Sequence, residues 1–228
     1  MKSTYVFLVL VALPLIAGCA APVLPTNQPV VSSPGVEIAL PAPRLEGDAS
    51  LEETIAGRRS VREFTDEPLS LEEVSQLLWA AQGITDPRRL RSAPSAGALY
   101  PLELYVAVAE GVHYYQPPAH ALQVVSEEDR RRALWEAGLR QGALGEAPAI
   151  FVITAVYART EVKYGERAER YVQLEAGHAA QNILLQAVAL ELGAVPIGAF
   201  YDDQVQAALH LPADHNPLYL IPVGHPRH

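Results

Sequence analysis

The segment from about Glu166 to Leu192 constrains this chain more than any other stretch. The helix that it predicts would span roughly 40 Å at 1.5 Å per residue. Its second half is apolar nearly all round, through Ala176, Ala179, Ala180, Ile183, Leu184, Leu185, Ala187, Val188 and Leu190. A helix that is hydrophobic on every side has to be covered on every side. It is not a membrane span, because Glu175, His178, Gln181, Asn182 and Gln186 sit inside it. A sheet of the same domain covers one face. The opposite face calls for a second subunit or for a central place in a two-layer monomer.

The flanking pattern supplies that sheet. Ser50-Leu51-Glu52-Glu53 and Ser70-Leu71-Glu72-Glu73 are capping boxes, in which hydroxyl and carboxylate satisfy each other's backbone donors. They predict helices from Leu51 to about Arg58 and from Leu71 to about Gln82, the second ended by Gly83. Arg88 to Gly97 reads as loop. Strands are expected at 104–109, 112–115 and 122–125, then a helix from Ser126 to about Leu139, with Trp79 and Trp135 in helices and in the core. The apolar run 150–156 reads as a central strand. A strand at 195–200, a helix at 203–210 and a strand at 218–223 close the chain. The fold class is α+β, with a mixed sheet flanked by helices.

The N-terminal residues form a separate object. Lys2, the apolar run Tyr5–Ile16 and Ala17-Gly18-Cys19 have the layout of a secretory signal. Leu15-Ile16-Ala17-Gly18-Cys19 resembles a bacterial lipoprotein box, which would make 1–18 a signal peptide and Cys19 the lipidated residue. Cys19 is the only cysteine among the 228 residues, so an intramolecular disulfide is excluded. Residues 19–48 are rich in Pro, Ser and Val and read as an extended tether, with Ile38-Ala39-Leu40-Pro41 alternatively an edge segment packed on the domain. The expected location is the cell envelope, lipid-anchored on the periplasmic face. Ala20 and Ala21 make outer-membrane sorting open to a host with two membranes. Residues 49–228 then form one domain of ample size for a core.

Arg58-Arg59-Ser60-Val61-Arg62 puts three guanidinium groups and a hydroxyl within five residues, in a chain of formal net charge −9. Arginine's planar fork matches phosphate oxygens. Cations concentrated at one point of an acidic protein suit one specific anion, and no nucleic-acid surface is expected. The bland alternative is a solvated helix end. Ala93-Pro94-Ser95-Ala96-Gly97-Ala98-Leu99-Tyr100-Pro101 would let a flat ligand lie close to backbone, although Pro and Gly there are also turn chemistry. Gly198, after the strand expected at 195–200, would admit a ring in the same way.

Together and in this order, these motifs resemble the flavin-dependent nitroreductase family, over about Leu51 to Gly224. Arg58–Phe64, the Pro94 loop, Glu175-Ala176-Gly177-His178-Ala179-Ala180-Gln181-Asn182, Pro196-Ile197-Gly198-Ala199-Phe200 and Ile221-Pro222-Val223-Gly224 carry the likeness. The wording of the Pro94 loop is most similar to the SagB/ThcOx-type, azoline-oxidase branch. The resemblance implies an FMN-binding homodimer with two sites at the subunit interface and a mainly antiparallel sheet, its long helix at that interface. It implies that Arg58, Arg59, Ser60 and Arg62 hold the phosphate and ribityl chain. Pro94, Ser95, Ala96 and Gly97 would contact the ring from the partner subunit. Pro196, Ile197 and Gly198 would lie near the ring's N5, and Gln141 near its edge. Many relatives bring a further cation from beyond the last strand, a place that Arg227 would take here. The family needs no side-chain acid or base, so no catalytic residue is assigned.

Other chemistries lack support in the sequence. No G-x-G-x-x-G follows a strand, and neither H-E-x-x-H nor a cysteine cluster points to a metal. Ser95 lacks the G-x-S-x-G context of a hydrolase nucleophile. His178 reads as a satisfied or interfacial histidine, and Arg130-Arg131-Arg132 as a solvated helix face. Two functions follow: an FMN oxidoreductase on a small-molecule or peptide substrate, or a non-catalytic binding or scaffold protein on the same fold. Outside the cytoplasm soluble nicotinamide is scarce, so the expected electron partner is a membrane component or a small molecule.

Overall fold

The structure, a computed structural model, describes residues 36–227. The signal peptide, Cys19 and the tether as far as residue 35 lie outside the described residues. Seven strands form one sheet in the order β1-β4-β3-β2-β5-β7-β6, every neighbouring pair antiparallel. They are β1 (Glu37–Ala39), β2 (Leu102–Val108), β3 (Gly111–Gln116), β4 (Ala121–Ser126), β5 (Ala149–Ala155), β6 (Gly193–Ala194) and β7 (Asn216–Gly224). The helices are α1 (Leu51–Gly57), α2 (Leu71–Gln82), α3 (Arg131–Ala137), α4 (Gly142–Glu146), α5 (Ala158–Tyr164), α6 (Ala168–Ala189) and α7 (Asp202–Leu209), with a 3₁₀ turn at Ala96–Ala98. This is an α+β architecture, an antiparallel sheet flanked by helices, as expected from the sequence.

β5 is buried along its whole length, because helices cover both faces of the sheet. On one face α2 and α6 pack through Leu77, Leu78, Ala176, Ala179 and Ile183 onto Leu104, Phe151 and Ile221. On the other, Leu134, Leu144, Val205 and Leu209 from α3, α4 and α7 meet Tyr105, Ile150, Val152 and Leu220. Both expected capping boxes are present, at Ser50/Glu53 and Ser70/Glu73.

Four expectations change. The helix expected from Ser126 begins five residues later, because Ser126 still pairs with Val112 as the end of β4. Asp129 instead bonds the Arg131 N–H and guanidinium (3.0 and 2.9 Å). The strand expected at 195–200 shrinks to Gly193–Ala194 and a single bridge from Ile197 to Leu220, because Pro196 supplies no N–H between them. The long helix is preceded by a separate one, α5, and Gly165 with φ +52° turns the chain between them. Trp79 and Trp135 are both half-buried; Trp135 packs against the rim of the core, whereas Trp79 is not part of it.

The edge-segment reading of 38–41 holds. β1 pairs with β4 from Glu37 onward. The Pro41 carbonyl accepts from Ser75 Oγ (2.7 Å), and His120 Nε2 lies 2.9 Å from it. Arg44 N–H donates to Gln76 Oε1 (2.8 Å), and Gln76 Nε2 returns a bond to the Arg44 carbonyl (3.0 Å). Among the described residues no helix is long and apolar enough to cross a membrane.

Candidate functional site

α1 stops at Arg58, whose N–H bonds the Thr54 carbonyl at 3.0 Å. The chain then runs out beside the sheet edge. Ser60 bridges Ala194 in parallel, and the Val61 N–H donates to the Ala194 carbonyl at 3.1 Å. Gly193 makes this approach possible, since a Cβ there would lie 2.5 Å from Val61 Cγ1. Arg59 and Arg62 are exposed and Arg58 half-buried. The guanidiniums of Arg59 and Arg62 bond backbone carbonyls of their own segment, those of Ala56 (2.9 Å), Arg58 (2.8 Å) and Ser60 (3.3 Å). Among the described residues none of the three arginines forms an ion pair. In a chain with excess carboxylates, that leaves three cations available to an external anion.

The residues after β6 hold the second element in place. Ile197 exchanges backbone bonds with Leu220 in both directions, at 2.8 and 3.0 Å. Ile197 is buried, whereas Gly198 and Ala199 are exposed. A Cβ on Gly198 would meet nothing nearer than Tyr219 at 3.9 Å, so its face is open. Gln141 reaches this segment through Nε2, which donates to the Ala199 carbonyl (3.0 Å) and to Gly138 (2.9 Å). The structure therefore unites Arg58–Arg62, Pro196–Gly198 and Gln141 along one edge of the sheet.

Arg227 comes to the same edge with its charge already engaged. Its N–H bonds the Glu63 carbonyl (3.1 Å), its guanidinium donates to the Phe64 carbonyl (2.6 Å), and Glu146 lies 3.4 Å away. Arg59, Val61, Leu192, Ala194 and His225 line a cavity of about 740 Å³, with Glu73 and Glu191 also on its wall.

The loop 94–97 is positioned separately. Ser95 accepts the Tyr100 N–H on Oγ (2.9 Å) and the Ala98 N–H on its carbonyl (3.0 Å). Gly97, Ala98 and Tyr100 all have left-handed φ, at +64°, +54° and +48°. The nearest group to a Cβ at Gly97 would be the movable end of Lys163, so the constraint there is the left-handed φ. Pro94, Gly97 and Ala98 are exposed, and Ser95 and Ala96 half-buried. Among the described residues no hydrogen bond links the loop to Arg58–Arg62 or to Pro196–Gly198 within one chain.

Beneath the loop runs a buried polar layer. Arg91 donates to Gln82 Oε1 (2.9 Å) and stacks 4.7 Å from the centre of the Tyr100 ring. Arg159 donates to the Tyr100 carbonyl (3.1 Å) and pairs with Glu103, which accepts from Tyr114 Oη at 2.6 Å. Glu175 on α6 is 2% exposed, and its Oε1 has no hydrogen-bond partner among the described residues. Burial pushes its carboxyl up to about 7, against the opposing pull of the Ser95 hydroxyl and the Arg91 guanidinium.

A profile of the Nitroreductase family matches residues 55–225, a span that holds every one of these elements except Arg227. The chain belongs to the nitroreductase family. A protein of Methanocaldococcus jannaschii named as a nitroreductase is 44% identical over 183 residues, 78% of this chain and 91% of that protein. An FMN reductase (NADPH) of Bacillus subtilis is 28% identical over 180 residues, 76% of this chain and 65% of that enzyme. A nitroreductase crystal structure from Ralstonia eutropha superposes with a TM-score of 0.76 at 30% identity, over 86% of this chain and 94% of that one.

Glu175 and Arg91 are buried or half-buried polar groups beneath the loop to which sequence reasoning gave no role. Glu175 has a faint signal, a lone carboxylate at helical spacing among the buried Val172, Ala176 and Ala179. Arg91 has none, because its partners come from α2 and from the end of the Pro94 loop. Among the described residues no group of His, Cys, Asp and Glu is arranged to hold a metal ion.

Proposed function

We propose that this protein is an FMN-dependent oxidoreductase that works as a homodimer, with loop 94–97 of each chain completing the site of the other. The observation that carries the reading is the register of Ser60 on Ala194. It fixes three arginines without carboxylate partners two residues from the start of Pro196–Gly198, where the backbone is open. An anionic phosphate tail and a flat ring call for that pairing of charge and bare backbone. When bound, FMN supplies two-electron transfer at its ring. The chain's part is to hold the phosphate with Arg58, Arg59, Ser60 and Arg62, to leave Gly198 clear for the ring, and to steady Ala199 through Gln141. Arg227 steadies the segment at Glu63–Phe64 and stands beside the phosphate site, not in it. The B. subtilis relative, an FMN reductase, supports the cofactor, and the wording of the Pro94 loop supports a place in the SagB-type branch.

The test is the absorption spectrum of the purified protein. The wild type should be yellow. Each charged contact to phosphate is worth about 1.5–3 kcal/mol, so Arg58→Ala with Arg62→Ala should weaken FMN by at least about a hundredfold. A colourless wild type that refuses added FMN would favour the scaffold reading.

We further propose that Cys19 is lipidated and that the substrate side of the reaction lies in the cell envelope, with electrons exchanged with a membrane component or a small molecule. Cys19→Ala should then move the protein from the membrane to the soluble fraction. An unchanged distribution would end that part of the proposal.

A further inference from the structure

We propose that a cavity between the sheet and the start of α2 is a second ligand site, which takes a neutral, mainly apolar small molecule carrying a hydrogen-bond acceptor. Ile38 of β1, Val106 and Val108 of β2, Leu122 of β4, and Leu69 and Val74 around the start of α2 form its apolar wall. It encloses about 450 Å³, within the range of about 300–1,000 Å³ usual for ligand pockets. It shares no lining residue with the cavity beside Arg59 and Ala194, so the proposal is independent of the flavin reading.

Among these apolar residues the sheet places one imidazole. His113 of β3 also lines the cavity. By strand alternation it faces the same side as Tyr115, a member of the core under α2 and α6. It is 7% exposed, and its Nδ1 is enclosed with no hydrogen-bond partner among the described residues. A histidine placed there only for packing would be expected to have one. The ladder is also irregular at this point. The register of β3 on β4 shifts between Val112 and His113, and bulges of this kind re-aim a side chain.

The chemistry of the ring selects the ligand's head group. Burial holds the His113 pKa below its ordinary value, against the pull of Glu110, so the ring is neutral at pH 7. A neutral imidazole carries its proton on one nitrogen only. On Nδ1 that proton would be an enclosed donor without an acceptor, an arrangement that folded proteins rarely tolerate. It therefore sits on Nε2, on the ring edge left to meet the cavity. The complement of that donor is a ketone, ester or ether oxygen.

The charges at the mouth exclude an anionic head. Asp66, Glu110 and Arg131 stand there. The Arg131 guanidinium is already engaged, by both oxygens of Asp129 (2.9 and 2.6 Å) and by the Pro148 carbonyl (3.1 Å). Asp66 and Glu110 are exposed and form no ion pair among the described residues. A carboxylate or phosphate entering the cavity would meet net repulsion.

The experiment uses the full chain and two compounds, benzophenone and diphenylmethane, which differ only by a carbonyl in place of a methylene. Benzophenone also reports its position, because under near-ultraviolet light its carbonyl inserts into neighbouring C–H bonds and peptide mapping finds the label. The label should fall on 69–74 and 106–113, and binding should be unchanged by saturating FMN. The ratio of benzophenone to diphenylmethane affinity, read by calorimetry, should fall about three- to tenfold in His113→Phe, the worth of one hydrogen bond. His113→Gln, whose amide still donates, should keep the ratio.

A label confined to 94–101 or 196–199 would put the ketone in the cofactor site and overturn the proposal. A full chain that binds neither compound overturns it too, whether water or the chain's own N-terminal residues fill the cavity. A ratio unchanged in a folded His113→Phe removes the role given to the imidazole, and the proposal with it. If that variant does not fold, the wild-type label decides: on 69–74 and 106–113 it supports the site, and anywhere else it overturns it.

Discussion

At the scale of single residues, Glu175 carries a stability cost of predictable sign. Its folded pKa lies above that of an exposed carboxylate, so the folded state binds the proton more tightly than the unfolded one. Below the unfolded pKa both states are protonated and there is no cost. As pH rises toward 7 the unfolded chain ionises first, and stability falls. Above about 7 the folded protein holds a buried charge, and the full penalty is present. The flavin-free wild type should therefore lose up to about 3 kcal/mol between pH 4.5 and pH 8 from this group, and Glu175→Gln should recover most of it at pH 8 and none at pH 4.5. Urea unfolding at the two pH values reads the difference. Equal gains at both would mean that packing, and not ionisation, separates the variants. Gly193 shows the opposite case, a residue whose importance is purely steric. The approach of Val61 to its missing Cβ is what docks the arginine segment on the sheet edge.

At the scale of elements, the sequence was readable where the signal is local. The two capping boxes needed only four residues each, and α1 and α2 start where those boxes place them. β5 was readable because strands buried on both faces are apolar throughout. Reading failed where tertiary contact overrides local preference. Ser126 has the chemistry of a helix cap, yet the sheet claims it through Val112. Pro196 interrupts a run that looks like a strand by composition. α5 was not expected at all, because its seven residues carry no capping signal ahead of the turn at Gly165–Arg167. The site divides in the same way. The arginine cluster and the glycine-bearing segments stand out in one dimension, as clustered charge or missing side chains. Glu175 beneath Ser95 does not, because the two are 80 residues apart in the sequence and only folding makes them neighbours.

At the scale of the whole molecule, the opening problem of the chain was how to cover a helix that is apolar all round. The structure covers α6 on most sides. Ala176, Ala179, Ala180, Ile183 and Ala187 are buried, while Leu174 is 53% exposed and Leu185 and Val188 are half-buried along one stripe with His178 and Gln181. α1 lies alongside, with Gly57 close to Val188 and with Leu51 and Ile55 61% and 56% exposed. Apolar side chains gathered on two packed helices suit burial against a second copy, for which a stable interface hides about 1,200–2,000 Å² in total. The same assembly is what would carry loop 94–97 to a neighbouring arginine segment. Leu174→Glu and Ile55→Glu separate folding from assembly, because both side chains already face water in the single chain and should cost it under about 0.5 kcal/mol. Placed in an apolar interface, each new carboxylate would be desolvated without a partner and should drive the protein to monomer. Light scattering after size exclusion reads the mass, and FMN binding reads the site. If the site is shared between chains, monomer and loss of flavin appear together in both variants. A monomeric variant that keeps full FMN affinity would show that one chain builds the site alone, and a dimer that survives both substitutions would move the interface to another face.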